Sequence, residues 1–196
     1  MAYTSIDNPE LFFHTVLWTG DGVNGRSLSG ILDFQPDWVW SKCRSHSVDH
    51  GLQDAVRGVG KVHHSNSTTG EGTDNWITAL NSDGFTLSNS NEVNQDTRTF
   101  VAWCWLGANG TASNSDGTIS STVSANTTSG FSIVSYTGNG SSSQTVGHGL
   151  GQTPAWIIVK NRDQSDKNTI FHQSLPNGAN SYIELDQTGA SSNLSL

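Results

Sequence analysis

The chain has 196 residues, of which 33% are hydrophobic and 13% are charged, and its formal net charge is -8. An acidic chain without a Lys/Arg cluster repels phosphate backbones and anionic lipid surfaces, so we expect no nucleic-acid partner. No apolar run reaches the length of a membrane span, which predicts no membrane insertion. The first 30 residues lack the basic and apolar regions of a signal peptide, which predicts synthesis in a cytoplasm.

The polar character of the chain comes mainly from Ser, Thr, Asn and Gly, which predicts a neutral, hydrogen-bonding surface. Seven Trp and seven Phe residues argue against disorder because they supply apolar side chains for a core. The two cysteines, Cys43 and Cys104, are too few for a disulfide framework in a chain of this size. Buried free thiols are favoured over a bridge between them.

Short apolar runs broken by Gly, Asn and Asp predict strands along the whole chain. We find no amphipathic pattern of 3.6-residue period over three turns, so the predicted class is all-β. Residues 62–75 are rich in His, Ser, Thr and Gly and predict a surface loop with an edge strand. The predicted strands of the first half are 11–18, 28–32, 34–44, 52–56, 76–80, 85–87 and 97–106.

Residues 107–129 are almost entirely small and polar, which predicts a connector holding at most a small hairpin. Strands resume at 131–136, and the chain turns at 138–140. The chain is then predicted to return through 145–156 and to continue through strands at 169–171 and 182–185. The predicted organisation is therefore a first unit at 1–106, the connector at 107–129 and a second unit at 130–196.

A nine-residue strand pattern is written twice in the chain, as PDWVWSKCR at 36–44 and as PAWIIVKNR at 154–162. Each copy starts with a Pro, alternates bulky apolar residues, and ends with a basic pair, which is typical of a half-buried strand. The offset is 118 positions throughout, which also aligns Phe13 with Phe131 and Trp38 with Trp156. A constant offset predicts one structural unit present twice.

The sequence repeat covers only part of the first unit, because no counterparts of SDGFTL or TFVAWCW follow the second copy. A sandwich without its closing strands would expose sheet edges and apolar faces. We therefore expect two related antiparallel β-sandwich units, jelly-roll-like, with the second incomplete in this chain. Either the chain is part of a longer protein, or a partner completes the second unit.

Two motifs suggest chemistry at first sight. Residues Gly20–Gly25 match GxGxxG, but RSLSG follows them and starts no helix, so a hairpin turn is favoured over a dinucleotide site. The histidines at 46, 50, 63 and 64 lack a thiol or carboxylate at metal-ligand spacing. Solvated loop histidines are favoured, and we expect no metal and no cofactor.

A catalytic centre is not expected, so no catalytic residue is assigned. A Ser/His/Asp triad could assemble in space, but no GxSxG motif is present and no carboxylate sits in an apolar frame that would raise its pKa.

Three aromatic residues have an Asp or Asn close by and form candidate glycan contacts, because sugars stack on rings and hydrogen-bond to such side chains. The alternative, which we favour, is strand-end aromatics beside ordinary turn residues. The candidate pairs are Trp18 with Asp21, Trp76 with Asp74, and Tyr136 with Asn139.

Several stretches resemble the repeat units of β-rich structural proteins of marine tailed phages, notably cyanophages. They are MAYTSIDNP, YTGNG, TVGHGLGQTPAWIIVKNR, IELDQTGA, SDGFTL and TFVAWCW. The resemblance covers nearly the whole chain and rests on turns and strands, so it implies a virion component and carries over no active site.

The resemblance implies a virion protein, most simply a tail fibre or tail-associated receptor-binding protein that contacts host-surface glycans. Its expected partners are other virion proteins and further copies of itself, with a trimer as the expected assembly. Two alternatives stay open. One is a capsid decoration or head fibre protein, and the other is a glycan-degrading tail enzyme, which needs paired carboxylates in a cleft.

Overall fold

The computed structural model describes residues 6–193, which form fifteen strands and two short 3₁₀ helices, Pro9–Leu11 and Gly178–Asn180. The all-β prediction is confirmed. The strands are β1 (Phe13–Thr19), β2 (Arg26–Leu28), β3 (Trp38–Cys43), β4 (Gly51–Asp54), β5 (His63–His64), β6 (Ile77–Asn81), β7 (Gly84–Leu87), β8 (Thr99–Trp105), β9 (Ala112–Asn114), β10 (Ser121–Asn126), β11 (Phe131–Tyr136), β12 (Trp156–Val159), β13 (Thr169–His172), β14 (Ser181–Glu184) and β15 (Ser192–Asn193).

Two antiparallel sheets form a β-sandwich in the first unit. One has five strands in the order β1-β8-β3-β4-β5, and the other has three in the order β2-β7-β6. Alternate side chains of each sheet enter the shared core; along β3, for example, Val39 and Cys43 are buried. Trp18 packs edge-on against Phe85 of the facing sheet, with ring centroids 5.8 Å apart. The core therefore lies between these sheets, and the jelly-roll topology stays a prediction.

The glycine motif lies between these two sheets. β1 pairs with β8 whereas β2 pairs with β7, so residues 20–25 cross from one sheet to the other. The predicted hairpin turn is therefore wrong. Gly22 and Gly25 have positive φ values of 69° and 80°, which glycine adopts readily. A strand follows the motif, not the helix that a dinucleotide site requires.

The predicted connector is largely structured, because β9 and β10 lie within it and form a three-stranded sheet with β11, in which β10 is the central strand. This sheet packs on the outer face of the five-stranded sheet. Phe131 stacks on Trp38 and Trp105 at centroid distances of 5.5 and 5.9 Å, and the two indoles lie 5.1 Å apart. The connector therefore belongs to a third layer.

Asp37 fixes the start of this third layer. Its Oδ2 accepts hydrogen bonds from the backbone N–H groups of Gly107 and Asn109, at 2.7 and 2.9 Å. Burial raises the pKa of this carboxyl, and the two hydrogen bonds partly oppose that rise. The expectation that no carboxylate lies in an apolar frame is therefore wrong for Asp37.

The sequence repeat is visible in strand pairing. Counterparts at an offset of 118 are paired alike, since β3 and β4 have the same register as β12 and β13. Trp38 lies opposite Asp54, and Trp156 lies opposite His172. The hydrogen bond from Ala55 N to Asp37 O, 2.8 Å, recurs from Gln173 N to Ala155 O, 2.9 Å. The structure thus places Trp38 and Trp156 at the same position in two related hairpins.

The surroundings of the two hairpins differ. β3 lies between β4 and β8, whereas β12 is an end strand of the sheet β12-β13-β14-β15 within residues 6–193. Trp38 is half-buried in the aromatic stack, but Trp156 is 44% exposed. Its neighbours Ile157 and Val159 are also exposed, at 39% and 44%.

The segment between β12 and β13 docks on the first unit through hydrogen bonds to the loop that follows β5. Glu71 accepts from Arg162 Nε and Nη2, both at 2.9 Å, and Glu71 N donates to Arg162 O at 2.8 Å. The buried Asn168 donates to the carbonyls of His64 and Ser67 at 3.0 and 3.1 Å. These polar contacts hold the second hairpin against the first unit.

Candidate functional site

Two surface cavities stand out in the described part of the chain. The first, here called the acidic cavity, has a volume of about 380 Å³ and lies where β5 meets the loops before β6 and after β7. It is lined by Asp49, His64, Asp74, Asn75, Trp76, Ser90 and Glu92. Three of its lining residues carry a carboxylate, which favours ligands that donate hydrogen bonds or carry positive charge.

The aromatic residue of the acidic cavity, Trp76, is shielded from solvent. The Trp76 indole is 6% exposed and lies parallel to the His64 imidazole, with centroids 5.2 Å apart and an interplanar angle of 11°. Gly51, the cross-strand partner of His64, also approaches the ring so closely that an added Cβ would lie 2.5 Å from Trp76 Cε3. Both flanking groups shield the ring, so Trp76 offers no open face for a sugar.

Hydrogen bonds fix the polar rim of the acidic cavity. Asn66 donates to Asp49 Oδ1 at 3.0 Å, and His64 Nδ1 lies 3.7 Å from Asp49 Oδ2. Ser90 donates a short hydrogen bond to Glu92. The rim is therefore an ordered set of acceptors around a shielded ring.

The second cavity, here called the hydroxyl cavity, has a volume of about 470 Å³ and lies at one end of the β9–β11 sheet. Cross-strand pairing builds its polar wall, because Thr122 lies opposite both Ser113 and Ser135 in adjacent strands. Opposed residues share a sheet face, so three hydroxyl groups form a row. The lining residues are Ser113, Ile119, Ser120, Ser121, Thr122, Ser135, Tyr136 and Thr137.

Tyr136 is the aromatic residue of the hydroxyl cavity and is 44% exposed. Some of the lining hydroxyls are already engaged, since Ser121 donates to Gly147 O at 2.8 Å and Ser135 accepts from Arg162 Nη1 at 3.1 Å. Ser113, Ser120 and Thr122 are exposed. The cavity thus combines fixed and solvent-facing hydroxyls with an accessible ring, and none of its lining residues is charged. Tyr136 shares its sheet face with Ser121, whereas the row of Ser113, Thr122 and Ser135 lies on the other face at the same end of the sheet.

The candidate glycan contacts fall in three different places. Trp18 is 8% exposed, donates from Nε1 to Val93 O at 2.9 Å, and stacks on Phe100 at 5.4 Å. Its ring is a core group, so it offers no face to a sugar. Asp21 lies on the surface in an ion pair with Arg26 at 3.3 Å. Backbone hydrogen bonding from Val23, followed by Asn94 and Arg26, outweighs desolvation and lowers the pKa of Asp21.

The other two candidate glycan-contact pairs lie at or near the two cavities. Asp74 and Trp76 both line the acidic cavity, although the indole is buried. Tyr136 lines the hydroxyl cavity, and Asn139 lies three residues further on, where it donates to Gln144 Oε1 at 3.2 Å. Sequence reasoning missed the serine and threonine residues of the hydroxyl cavity, because hydroxyl residues are too frequent in this chain to stand out.

The histidines predicted to lie in solvated loops are partly structural. His63 belongs to β5 and is 5% exposed, so the prediction is wrong for this residue. Desolvation, together with the positive charge of Arg57, lowers the pKa of His63 to about 3, against the opposing effect of Glu71. His50 contacts Lys42 Nζ through Nε2 at 2.5 Å. Within residues 6–193, no group of three or more His, Cys, Asp or Glu side chains is placed to hold a metal ion.

The thiols of Cys43 and Cys104 are free and buried. They lie in neighbouring strands but not opposite each other, because Cys43 faces Phe100 and Cys104 faces Val39 across the pairing. Burial raises the pKa of the Cys104 thiol, which makes it a poor nucleophile.

Comparison with known proteins gives a family for the chain. Residues 8–196 match the family described as Domain of unknown function (DUF7483). The chain belongs to this family. No curated protein and no solved structure matches the chain. No helix among the described residues combines the length and apolar character needed to cross a membrane.

Proposed function

We propose that this member of the DUF7483 family is a non-enzymatic virion structural protein, a tail fibre or tail-associated receptor-binding protein that contacts a neutral host-surface glycan. The sequence resemblance to structural proteins of tailed phages supports the virion role. The observation that carries the glycan contact is the hydroxyl cavity, where the exposed Tyr136 ring adjoins a wall of uncharged hydroxyl residues.

The chemistry of this cavity matches a sugar. The apolar face of a pyranose stacks on an aromatic ring, while its hydroxyl groups exchange hydrogen bonds with groups that both donate and accept. Ser120 and Thr122 supply such groups, because both are exposed and line the same cavity as Tyr136. A net charge of -8 disfavours sialylated, sulfated or phosphorylated glycans, so the expected ligand is neutral.

A glycan array with the full chain and two variants tests this proposal. Tyr136→Ala removes the ring and should abolish any binding seen with the wild type. Trp156→Ala is the matched control, because Trp156 is also 44% exposed but lies outside both cavities. A blank array, or equal loss in the two variants, would refute a glycan site at Tyr136.

The position in the particle needs a separate experiment. Electron microscopy of particles carrying a tagged copy should place the protein on the tail, and placement on a capsid lattice would favour a decoration or head fibre protein instead. Sedimentation of the purified chain should give the mass of a trimer.

The acidic cavity supports a second candidate, glycan hydrolysis, because Asp49, Asp74 and Glu92 line one depression. Glycoside hydrolases use a pair of carboxylates that flank the scissile bond. Release of reducing ends from host polysaccharide, lost in Asp74→Asn and retained in Asp21→Asn, would establish this activity. Absence of release would refute this second candidate.

A further inference from the structure

We propose that β12 accepts one additional antiparallel strand from a partner polypeptide, and that this strand has the alternating apolar pattern of β8. The proposal concerns an assembly surface and does not depend on the glycan-binding function. It rests on the two copies of the hairpin, because the first copy shows what occupies the position that is open in the second.

The pairing of the first copy defines the open position. β3 pairs with β4 on one edge and with β8 on the other, where Ser41 lies opposite Ala102. β12 pairs with β13 in the register of β3 with β4, but no strand within residues 6–193 pairs with its other edge. β8 also pairs with β1, and β11, the counterpart of β1, is likewise an end strand of its sheet.

The backbone of β12 presents hydrogen-bonding groups at this edge. Arg44 N donates to Thr99 O at 2.7 Å, which directs the even-numbered residues of β3 toward β8, since alternate residues of a strand point their backbone groups to opposite sides. Trp156 and Ile158 are the counterparts of Trp38 and Trp40 at the offset of 118. Their backbone N–H and C=O groups therefore point to the open edge of β12. The hydrogen bond from Gln173 N to Ala155 O agrees, because it directs odd-numbered residues toward β13.

The side chains of β12 are exposed in the way expected for a strand that lacks a neighbouring strand on one edge. Val39 is fully buried in β3, whereas its counterpart Ile157 is 39% exposed. Trp156 and Val159 are each 44% exposed, so the strand carries apolar groups on both faces. An exposed apolar edge strand is a template for pairing with another chain, and strand addition is an established mode of peptide recognition.

The side chains of β8 indicate which residues the added strand should carry. Phe100, Ala102 and Cys104 are fully buried and alternate with Val101 and Trp103, so both faces of the strand are apolar. The partner segment should therefore be about seven residues long, lack proline, run antiparallel to β12, and carry apolar side chains on alternate positions. A helical partner would not satisfy the open backbone groups, because its own N–H and C=O groups are paired within the helix. An acidic strand could not bury its side chains against the apolar residues of β12.

Fluorescence anisotropy with the full chain tests the proposal. The probe is a reduced, labelled peptide with the sequence of Arg98–Leu106 and added terminal lysines for solubility. The test variant is Ile158→Pro, which removes an N–H at the open edge and leaves the β13 pairing intact, because proline is tolerated where the N–H faces solvent.

Leu17→Pro is the matched control. Gly20 N donates to Arg98 O, so even-numbered residues of β1 face β8, and the Leu17 N–H lies on the free edge of the five-stranded sheet. Both variants place a proline in an edge strand with the same relation to its neighbour. Thermal unfolding of each variant checks that the fold is retained.

We expect saturable peptide binding that is at least about tenfold weaker in Ile158→Pro and unchanged in Leu17→Pro. A peptide with Phe100→Asp and Cys104→Asp should not bind, because it cannot bury its alternate side chains. Amide exchange at Trp156 and Ile158 should slow when the peptide is bound. Three outcomes would overturn the proposal: no binding at millimolar peptide, equal binding to both proline variants, or self-association through β12 that excludes the peptide.

Discussion

The polar contact between the two units can be tested by removing the carboxylate of Glu71. This side chain is 9% exposed and accepts hydrogen bonds from Arg162 Nε and Nη2 at 2.9 Å and from Arg57 Nη1 at 3.2 Å. Burial by itself raises the pKa of Glu71, but the hydrogen bonds and charges of Arg162 and Arg57 outweigh it and lower that pKa. The carboxylate is therefore charged and holds two guanidinium groups.

The loss of stability expected for Glu71→Ala depends on the surroundings of the two guanidinium groups that it leaves behind. Removal of one partner from a fully buried ion pair costs about 3–5 kcal/mol because the other charge stays buried. Arg57 is 8% exposed but keeps its contact with Asp54 at 2.5 Å. Arg162 is 39% exposed and gains water in place of Glu71. We therefore expect the free energy of unfolding to fall by about 2 kcal/mol.

Urea denaturation, followed by tryptophan fluorescence, measures this change. The control is Lys167→Ala, which breaks the contact of Lys167 with Glu184 at 2.5 Å. Lys167 is half exposed, so we expect no measurable effect from the control. Amide exchange of residues 160–168 should accelerate in Glu71→Ala. If Glu71→Ala costs no more than Lys167→Ala, the contact does not hold the two units together.

Three further predictions follow from burial and contact. The free energy of unfolding should decrease from about pH 6.5 toward pH 3, by at most about 1.4 kcal/mol per pH unit from His63, because its pKa of about 3 leaves it neutral in the fold while the unfolded chain binds a proton. Val39→Ala should cost about 2–3 kcal/mol in urea denaturation, and Ile157→Ala clearly less, because Val39 is fully buried and Ile157 is 39% exposed. Gly51→Ala should lower the melting temperature and cost about 1–3 kcal/mol, because its Cβ would lie 2.5 Å from the Trp76 ring.

Each of these predictions has a control. For His63, the same pH series in His63→Gln should have a shallower slope, and an unchanged slope would show that another group causes the pH dependence. Equal costs for Val39→Ala and Ile157→Ala would contradict the difference in burial between the two hairpins. Gly110→Ala controls for Gly51→Ala, because an added Cβ at Gly110 meets no atom within 4 Å.

The strands could be predicted from the sequence because alternating apolar residues and Gly-rich turns are local signals. The constant offset of 118 predicted that Trp38 and Trp156 occupy equivalent positions, and the structure confirms this because β12 and β13 repeat the register of β3 and β4. The sheet order could not be predicted. β8 lies between β1 and β3 although about 55 residues or more separate it from either, and no local pattern encodes such a pairing.

The strands of the connector could not be predicted, because β9 and β10 are rich in Ser, Thr and Asn and have too few apolar residues for an alternating pattern. The pairing of β10 with β9 and β11, and the hydrogen bond from Gly107 N to Asp37, are tertiary effects. The burial of Trp18 and Trp76 was likewise invisible in the sequence, because an aromatic residue beside an Asp has the same pattern in a core as on a surface. Tyr136 is the predicted aromatic that the structure leaves accessible.

The aromatic stack on the outer face of the five-stranded sheet gives the protein a built-in optical signal. The rings of Trp38 and Trp105 have centroids 5.1 Å apart and an interplanar angle of 29°, and at this separation we expect their electronic transitions to couple and to give an exciton couplet in circular dichroism. Phe131 covers this indole pair from the third layer. If that layer detaches while the sandwich stays folded, the environment of the indole pair changes and so should the couplet, so one spectrum can follow the two events separately.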